Sequence, residues 1–210
     1  MYVPRHFEET RVDVLHDLIR RYPLGTLVVA AADGLEATHI PFEIDAQPGP
    51  FGTLRCHVAR ANPIWKQITA ERQVLVVFQG EQGYVSPSWY ASKQESGKVV
   101  PTWNYAAVHA YGTAKAVQDA AWLRQMVEDL TNRHEQGRAD PWRVSDAPAE
   151  YVEKLLGAIV GIEIPVARLI GKWKMSQNRP VADRQGVVAG LERDGTPAEV
   201  DVAAVVKTTL

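Results

Sequence analysis

The sequence predicts a mainly β protein with helical additions, an α+β chain whose strands pair antiparallel. Apolar segments of strand length follow one another with short turns between them, such as Ala32-Asp33-Gly34 and Gln47-Pro48-Gly49-Pro50. Few helices intervene between these strands, which argues against a parallel, doubly wound sheet. A small antiparallel barrel that carries helices fits this order best.

Composition sets the broad class of the protein. A length of 210 residues fits one domain, or one domain with an appendage, and 46% apolar residues is typical of globular proteins. A net charge of -2 gives no bulk signal for nucleic-acid binding. The single cysteine, Cys56, excludes an internal disulfide framework. Neither a signal-peptide core nor a membrane-spanning run is visible, so we expect a cytoplasmic protein with no membrane partner.

The N-terminal half is predicted to hold one helix and several strands. Apolar residues at helical spacing indicate a helix that ends at Pro23. The predicted strands cover residues 24–31, 35–44, 51–59, 73–79 and 84–90. The first two form a hairpin, and the last is broken by Pro87. A short helix begins after Asn62, between the third and fourth strands.

The C-terminal half alternates long strands with clear helices. Residues 92–100 are polar, and we expect a mobile loop there. Asp119 is predicted to cap an amphipathic helix. The other predicted elements are strands at 102–117 and 161–174, a helix at 149–159 and two short helices after Pro180.

The strand-to-helix turn around Arg60 indicates an anion site. Asn62 is a good N-cap, and Pro63 suits the first helical position. Free N–H groups at a helix start, with Arg60 beside them, can bind phosphate. The alternative is an ordinary turn with a surface arginine.

Three other segments are candidates for ligand contacts. The proline in THIPF (38–42) indicates an edge strand or a bulge, where backbone groups can face a ligand; the alternative is an edge protected from aggregation. Trp103-Asn104-Tyr105 suits a flat heteroaromatic ligand, or simply a core. Residues 172–179 hold three cations, which could bind an anion or form a solvated strand end.

Other chemistry has weak support in the sequence. Cys56 and His57 are neighbours in a strand and therefore point to opposite faces, so they form no thiolate–imidazole pair. His57, His109 and His134 are scattered without metal-ligand spacing. No phosphate-binding or dinucleotide-binding glycine motif is present.

Taken together, six segments resemble the PaiB family, known as FMN-binding negative transcriptional regulators. They run in order over nearly the whole chain and are MYVPRHF (1–7), THIPF (38–42), HVARANP (57–63), YVSPSWY (84–90), VPTWNY (100–105) and KMSQNR (174–179). Each is weak alone, but the ordered set is specific.

The resemblance implies an FMN-binding split β-barrel that holds FMN in a cleft between the two subunits of a homodimer. It implies a flavin-binding domain at residues 1–179, with residues 180–210 as a helical extension packed on the same domain. Arg60 and Asn62 would take the FMN phosphate, while Thr38 and His39 would face the ring or the ribityl chain. The other implied contacts are His57, Val58, Trp103, Asn104, Lys174, Gln177 and Asn178.

The resemblance also implies transcription control, with promoter DNA as a partner. The tail helix at 199–207 carries two acids and one lysine, so we interpret it as a packing helix, at a dimer seam, rather than as a recognition helix. An indirect effect on transcription, or one through the basic segment 168–184, is the alternative. An FMN-dependent oxidoreductase, with His39 or His57 as general acid, is a second function, and a related haem-binding barrel is a third.

Overall fold

The computed structural model describes all 210 residues, with nine strands and six α-helices. The strands are β1 (Glu8–Glu9), β2 (Leu24–Ala31), β3 (Gly34–Pro41), β4 (Glu43–Asp45), β5 (Thr53–Ala59), β6 (Val74–Val85), β7 (Thr102–Gly112), β8 (Lys115–Val117) and β9 (Ile159–Lys174). The α-helices are α1 (Val12–Arg21), α2 (Ser92–Ser96), α3 (Ala120–Glu135), α4 (Ala149–Gly157), α5 (Val181–Asp194) and α6 (Pro197–Lys207). Short 3-10 helices lie at Arg5–Phe7, Pro63–Lys66, Pro87–Trp89 and Val144–Asp146.

The strands form a sheet in the order β3-β2-β6-β7-β9-β5-β4, while β1 and β8 pair with β9. The pairs β2–β3, β2–β6, β4–β5 and β5–β9 are antiparallel. In these ladders His39 lies opposite Thr26, and His57 lies opposite Gly161. The predicted mainly β, antiparallel fold class with helical additions is confirmed.

The chain divides into two compact units. The first comprises residues 1–18, 79–109 and 170–210, and the second comprises residues 19–78 and 110–169. The division passes through β6, β7 and β9, so each of these strands belongs partly to each unit. The domain boundary expected at residue 180 stays a prediction, since residues 170–210 group with residues 79–109.

The second unit is built on the β2–β3 hairpin and the strands around it. Phe42 and Phe78 meet edge to face, with ring centroids 5.6 Å apart, and both are almost fully buried. The single strand predicted at 35–44 is wrong at Phe42. The Phe42 N–H donates to the Pro23 carbonyl at 2.9 Å, in register with the Leu24–Pro41 pair, but Pro23 has no N–H to return the bond. β3 therefore ends at Pro41, and β4 pairs with β5.

Helices α3 and α4 cover the other strands of this unit. The carboxylate of Asp119 accepts the Trp122 N–H at 2.8 Å, so the predicted N-cap is confirmed. Leu123 of α3 and Leu156 of α4 lie in one buried cluster. Trp122 packs over Gly161 of β9, where a β-carbon would overlap the indole.

Between residues 79 and 117 the sequence predictions need three corrections. β6 continues to Val85, and a 3-10 helix at Pro87–Trp89 replaces the strand predicted at 84–90 because Pro87 cannot donate to a ladder. The sequence did not predict this continuation of β6 because residues 79–83 are mainly polar, although Glu81 among them is buried. The loop expected at 92–100 contains α2, and the strand expected at 102–117 is divided into β7 and β8.

The C-terminal helices belong to the first unit. Trp89 packs against α5 at Gly190, where a β-carbon would overlap the indole ring. Asp183, buried at the start of α5, accepts the Ser92 N–H at 2.9 Å and the Ser92 hydroxyl at 2.7 Å. Helix α6 packs on α5 and buries Val202, as expected of a packing helix, while its place at a dimer seam stays a prediction. No α-helix in the chain is both long and apolar enough to cross a bilayer.

Candidate functional site

Thr38 and His39 lie in β3, which is an end strand of the sheet. Thr38 is half-buried and His39 is exposed. Their partners across the ladder are Leu27 and Thr26 of β2. The edge-strand interpretation of the proline in this segment is therefore confirmed, and His39 is open to a ligand at this edge.

Arg60 is hydrogen-bonded within the protein. Its guanidinium donates to the carbonyls of Gly157 at 2.8 Å and Ile159 at 3.0 Å, and to the Gln118 side chain at 2.6 Å. These contacts fasten the end of β5 to the junction between α4 and β9. The guanidinium thus has a structural role, and only its remaining N–H groups are open to an anion.

Asn62 is also occupied by the protein. Its side-chain oxygen accepts the Ile64 N–H at 3.0 Å, so the predicted N-cap is confirmed. The helix that it caps is a 3-10 turn of four residues, Pro63–Lys66. One of the N–H groups that the sequence assigned to phosphate is therefore taken by the cap, and the phosphate role of Arg60 and Asn62 stays a prediction.

A cavity of about 500 Å³ lies beside Arg60 in the second unit. Arg124 and Gln118 line it together with the carboxylate of Glu153. Because an acid shares this wall, the charge does not favour an anion as strongly as the sequence suggested.

His57 faces a different cavity in the same unit. This cavity has a volume of about 410 Å³, and apart from His57 its lining is mainly apolar. The rings of Trp142 and Tyr151, both about half exposed, line it. Burial lowers the pKa of His57, so the imidazole is neutral at neutral pH. Val58 is buried in the core instead.

The side chain of Cys56 is buried in the structure. It is 1% exposed, and burial raises the pKa of its thiol well above the ordinary value. A buried thiol of raised pKa is inert as a nucleophile.

Several polar residues of the first unit line a small cavity of about 90 Å³. This lining comprises Tyr90, Val100, Pro101, Thr102, Asn104, Lys174, Ser176, Asn178 and Arg179. The Lys174 amine donates to the Thr102 hydroxyl and to the Trp103 carbonyl, the latter at 2.5 Å. Burial, together with the charges of Lys172 and Arg179, lowers the pKa of Lys174.

Arg179 and Tyr90 lie together in this cavity. The guanidinium carbon sits 4.7 Å from the centre of the Tyr90 ring, a cation–π distance. The Tyr90 hydroxyl is fully buried and has no hydrogen-bond partner. Burial raises the pKa of Tyr90, and the Arg179 charge opposes this rise. The cavity therefore contains a buried polar group that the protein leaves unsatisfied.

The turn after β9 shapes one wall of the cavity. Ser176 has a φ of 64°, and its hydroxyl is 3.0 Å from the amide nitrogen of the fully buried Asn104. The Gln177 side chain closes the turn, because its amide donates to the Trp173 carbonyl at 2.6 Å and accepts the Met175 N–H at 2.7 Å. Gln177 thus supports the turn, while the exposed Asn178 lines the cavity.

Trp103 lies outside this cavity. It is 49% exposed, its indole N–H donates to Gln82 at 3.2 Å, and its ring meets Tyr84 edge to face. The exposed indole face remains available for stacking on a flat ligand.

The structure brings Asn104, Lys174 and Asn178 of the predicted set into one cavity. Sequence reasoning missed Tyr90 and Arg179 as site residues, although both end segments that carry the family resemblance. The sequence shows an aromatic residue and a cation at the ends of these two motifs, but only the fold shows that the two side chains are in contact. Hydrogen-bond donors and positive charge dominate this cavity, an arrangement that binds oxyanions.

This fold is found in solved flavoproteins. The structure superposes on the flavocytochrome Anf3 from Azotobacter vinelandii with a TM-score of 0.60, at 15% identity, over 82% of this chain and 72% of that chain. The mainly antiparallel sheet with its six helices is therefore that of the flavin-binding split barrels.

The family follows from sequence comparison. Residues 1–168 match the family model described as "Putative FMN-binding domain". An uncharacterized protein of Emericella nidulans is 38% identical over 99% of this chain and 96% of its own length. The protease synthase and sporulation protein PAI 2 of Bacillus subtilis is 30% identical, over 100% of this chain and 98% of its own. The chain belongs to this FMN-binding, PaiB-like family, and FMN is confirmed as its cofactor.

Proposed function

We propose that this protein is a homodimeric, FMN-binding transcriptional regulator of the PaiB type that represses its target genes. The main support is the similarity to the Bacillus subtilis protein, whose name links it to protease synthesis and sporulation, over essentially the whole of both chains. This similarity includes the 174–179 turn and the C-terminal helices, which lie beyond the matched FMN-binding domain.

Each unit contains residues that we propose as FMN contacts. Those of the second unit are Thr38, His39, His57, Val58, Arg60 and Asn62, and those of the first unit are Trp103, Asn104, Lys174, Gln177 and Asn178. Bound FMN supplies the redox chemistry of the flavin, while the chain binds and orients it. Val58 is buried and the amide of Gln177 is bonded within its turn, so we assign them supporting roles. We assign the same role to Arg60 and Asn62, because the protein itself occupies their side chains.

Promoter DNA is the proposed partner, but α6 is a poor candidate for reading it. The helix buries Val202 and Val206, and it carries Glu199 and Asp201 where a recognition helix needs cations. Within the basic segment 168–184 the Lys172 amine donates to the Tyr2 carbonyl. We therefore propose that bound FMN changes the assembly, or the shape of the protein surface, that contacts DNA. In this proposal α6 does not enter a DNA groove.

The test is selection of fragmented genomic DNA by the FMN-loaded protein and by the apoprotein, followed by gel shifts of the selected fragments. We expect specific fragments whose binding weakens with salt, as counterion release requires, and differs between the two forms. Equal and non-specific retention by both forms would overturn the regulatory proposal. A particle of twice the subunit mass supports the homodimer, and a monomer at all concentrations contradicts it. The expected cytoplasmic location stays a prediction.

An FMN-dependent oxidoreductase is the second candidate, and the apolar cavity favours it. A volume of about 410 Å³, lined by Trp142, Tyr151 and the neutral His57, suits a small apolar substrate. The measurement is oxidation of NADH or NADPH by the FMN-loaded protein under air. Turnover above that of free FMN supports an enzyme, and its absence contradicts this candidate.

A further inference from the structure

We propose that the 90 Å³ cavity of the first unit is a pocket for a terminal phosphate monoester, and that it selects FMN over both riboflavin and FAD. This inference rests on the FMN contacts proposed above and deepens them. It assigns phosphate binding to Arg179, Lys174 and the Tyr90 hydroxyl. The interpretation from the sequence had placed the phosphate at Arg60.

The pocket contains hydrogen-bond donors that lack acceptors within the chain. The guanidinium of Arg179 lies over the Tyr90 ring and interacts with the Tyr90 side chain and with Lys174, and no carboxylate forms an ion pair with it. The buried Tyr90 hydroxyl has no partner. Native proteins rarely leave a buried polar group unsatisfied, so an acceptor from outside the chain is the simplest explanation for both groups.

Positive charge also dominates the pocket. The charges of Lys172 and Arg179 both act on Lys174 and help to lower its pKa. Lys174 and Arg179 line the cavity, and no acidic side chain lines it with them. The carboxylate of Asp183, whose charge acts on Tyr90, accepts both the N–H and the hydroxyl of Ser92. Crowded cations without a counterion are stabilised by a doubly charged anion, which a phosphate monoester provides.

The pocket is also small. A volume of about 90 Å³ corresponds to a few water molecules, well below the roughly 300 Å³ at which sites for whole small ligands begin. One phosphate group fits, but the flavin ring must lie outside. We expect the second phosphate and the adenosine of FAD to find no room in a pocket of this volume. Riboflavin has no phosphate and gains nothing from the pocket.

Arg60 differs from Arg179 in its hydrogen bonds. Its guanidinium already donates to two carbonyls and to Gln118, and a carboxylate shares the neighbouring cavity. Arg179 is free of such bonds. Of the two arginines, Arg179 is therefore the better phosphate ligand.

The experiment compares the affinities of the full-length apoprotein for FMN, riboflavin and FAD by flavin fluorescence. We expect wild type to prefer FMN over each of the other two by about tenfold or more, the value of one charge-assisted contact. Arg179→Gln and Tyr90→Phe should each lower FMN affinity and leave riboflavin affinity unchanged. Tyr90→Phe keeps the ring that stacks under Arg179. Lys98→Gln removes one exposed charge outside the pocket and serves as the matched control.

A second readout uses inorganic phosphate alone. Phosphate should raise the melting temperature of wild type and of Lys98→Gln, but not that of Arg179→Gln. If wild type binds FMN while both pocket variants keep the full preference over riboflavin, the pocket is overturned and FMN binding by this fold stands. If wild type binds no flavin at all, the proposed function is overturned together with the pocket. Urea unfolding of each variant shows that it is folded.

Discussion

At the scale of single residues, Arg60 illustrates how a residue suggestive of ligand binding can serve the fold. Replacing it by alanine removes hydrogen bonds to Gly157, Ile159 and Gln118. Because the site is partly exposed, we expect Arg60→Ala to lower the free energy of unfolding by about 1–2 kcal/mol. Urea denaturation of the apoprotein measures this loss. Arg124→Ala, which changes a cation lining the same cavity, should cost less.

The two roles of Arg60 give different outcomes in a flavin titration. If Arg60 is the phosphate ligand, Arg60→Ala weakens FMN binding by about 1–3 kcal/mol and leaves riboflavin binding unchanged. If it is a structural residue, the loss in stability appears and the preference for FMN over riboflavin persists. We expect the second result.

His57 gives a prediction for pH. Burial lowers its pKa below the ordinary value of 6.5, which the unfolded chain retains. As the pH falls below about 6.5, the unfolded chain gains a proton that the folded chain resists, so the free energy of unfolding decreases. Urea midpoints of the apoprotein at about pH 7.5 and about pH 5.5 should therefore differ more for wild type than for His57→Leu.

The matched control for His57 is His39→Leu, which changes an exposed histidine in the edge strand. This control removes a histidine and leaves the buried imidazole of His57 in place. An identical pH response in wild type and His57→Leu would show that the buried imidazole does not contribute.

At the scale of elements, an ion pair connects β4 to α3. Glu43 is 2% exposed, and one of its carboxylate oxygens lies 2.5 Å from the Arg133 guanidinium while the other has no partner. Burial raises the pKa of Glu43, and the charge of Arg133 opposes this rise. Removing only Arg133 leaves a buried acid without its cation.

We expect Arg133→Met to lower the free energy of unfolding at neutral pH by about 1–3 kcal/mol, less than for a fully buried pair because Arg133 reaches solvent. The double variant Glu43→Gln/Arg133→Met should lose less, since no buried charge remains. Urea denaturation at neutral pH measures both. Equal losses would mean that the carboxylate needs no compensating cation.

The docking of α5 depends on a close approach to Trp89. A β-carbon at Gly190 would overlap the indole, and one at Gly186 would overlap the Trp89 carbonyl. We expect Gly190→Ala to destabilise the protein by about 1–3 kcal/mol, as overpacking does, despite the better helix propensity of alanine. Gly157→Ala is the control, because a β-carbon there meets open space. Thermal unfolding compares the two, and equal melting temperatures would contradict this packing.

The elements that the sequence predicted well are those whose signal is local. The Asp119 and Asn62 caps, the 24–31 strand and the two tail helices depend on neighbouring residues, and the structure contains all of them. The predictions that failed concern positions whose structure depends on residues far away in the sequence. β6 continues through residues 79–83, where Glu81 is buried although Gln79 and Gln82 are exposed. β3 ends at Pro41 because Pro23, which lies opposite Phe42 in the ladder, has no N–H to donate.

At the scale of the whole molecule, the candidate sites also divide into what local sequence signals reveal and what contacts between distant residues determine. Sequence patterns identified the segments that carry the family and its cofactor, because ordered motifs are a property of the chain itself. They could not show that Tyr90, Asn104 and Arg179 share one cavity, since these residues come from three separate segments. Nor could they show that Arg60 is already bonded. Chemical type is visible in a sequence, whereas the partner of each group is a property of the fold.

The homodimer gives the last prediction. If two subunits fold as one cooperative unit, unfolding also separates them, so stability depends on protein concentration. We expect a tenfold increase in the concentration of the FMN-loaded protein to stabilise the dimer by about 1.4 kcal/mol and to raise its melting temperature. The measurement is thermal unfolding at several protein concentrations with free FMN held constant and in excess, so that cofactor loss does not contribute. A melting temperature independent of protein concentration, together with a monomeric mass, would show that each chain folds and binds flavin alone.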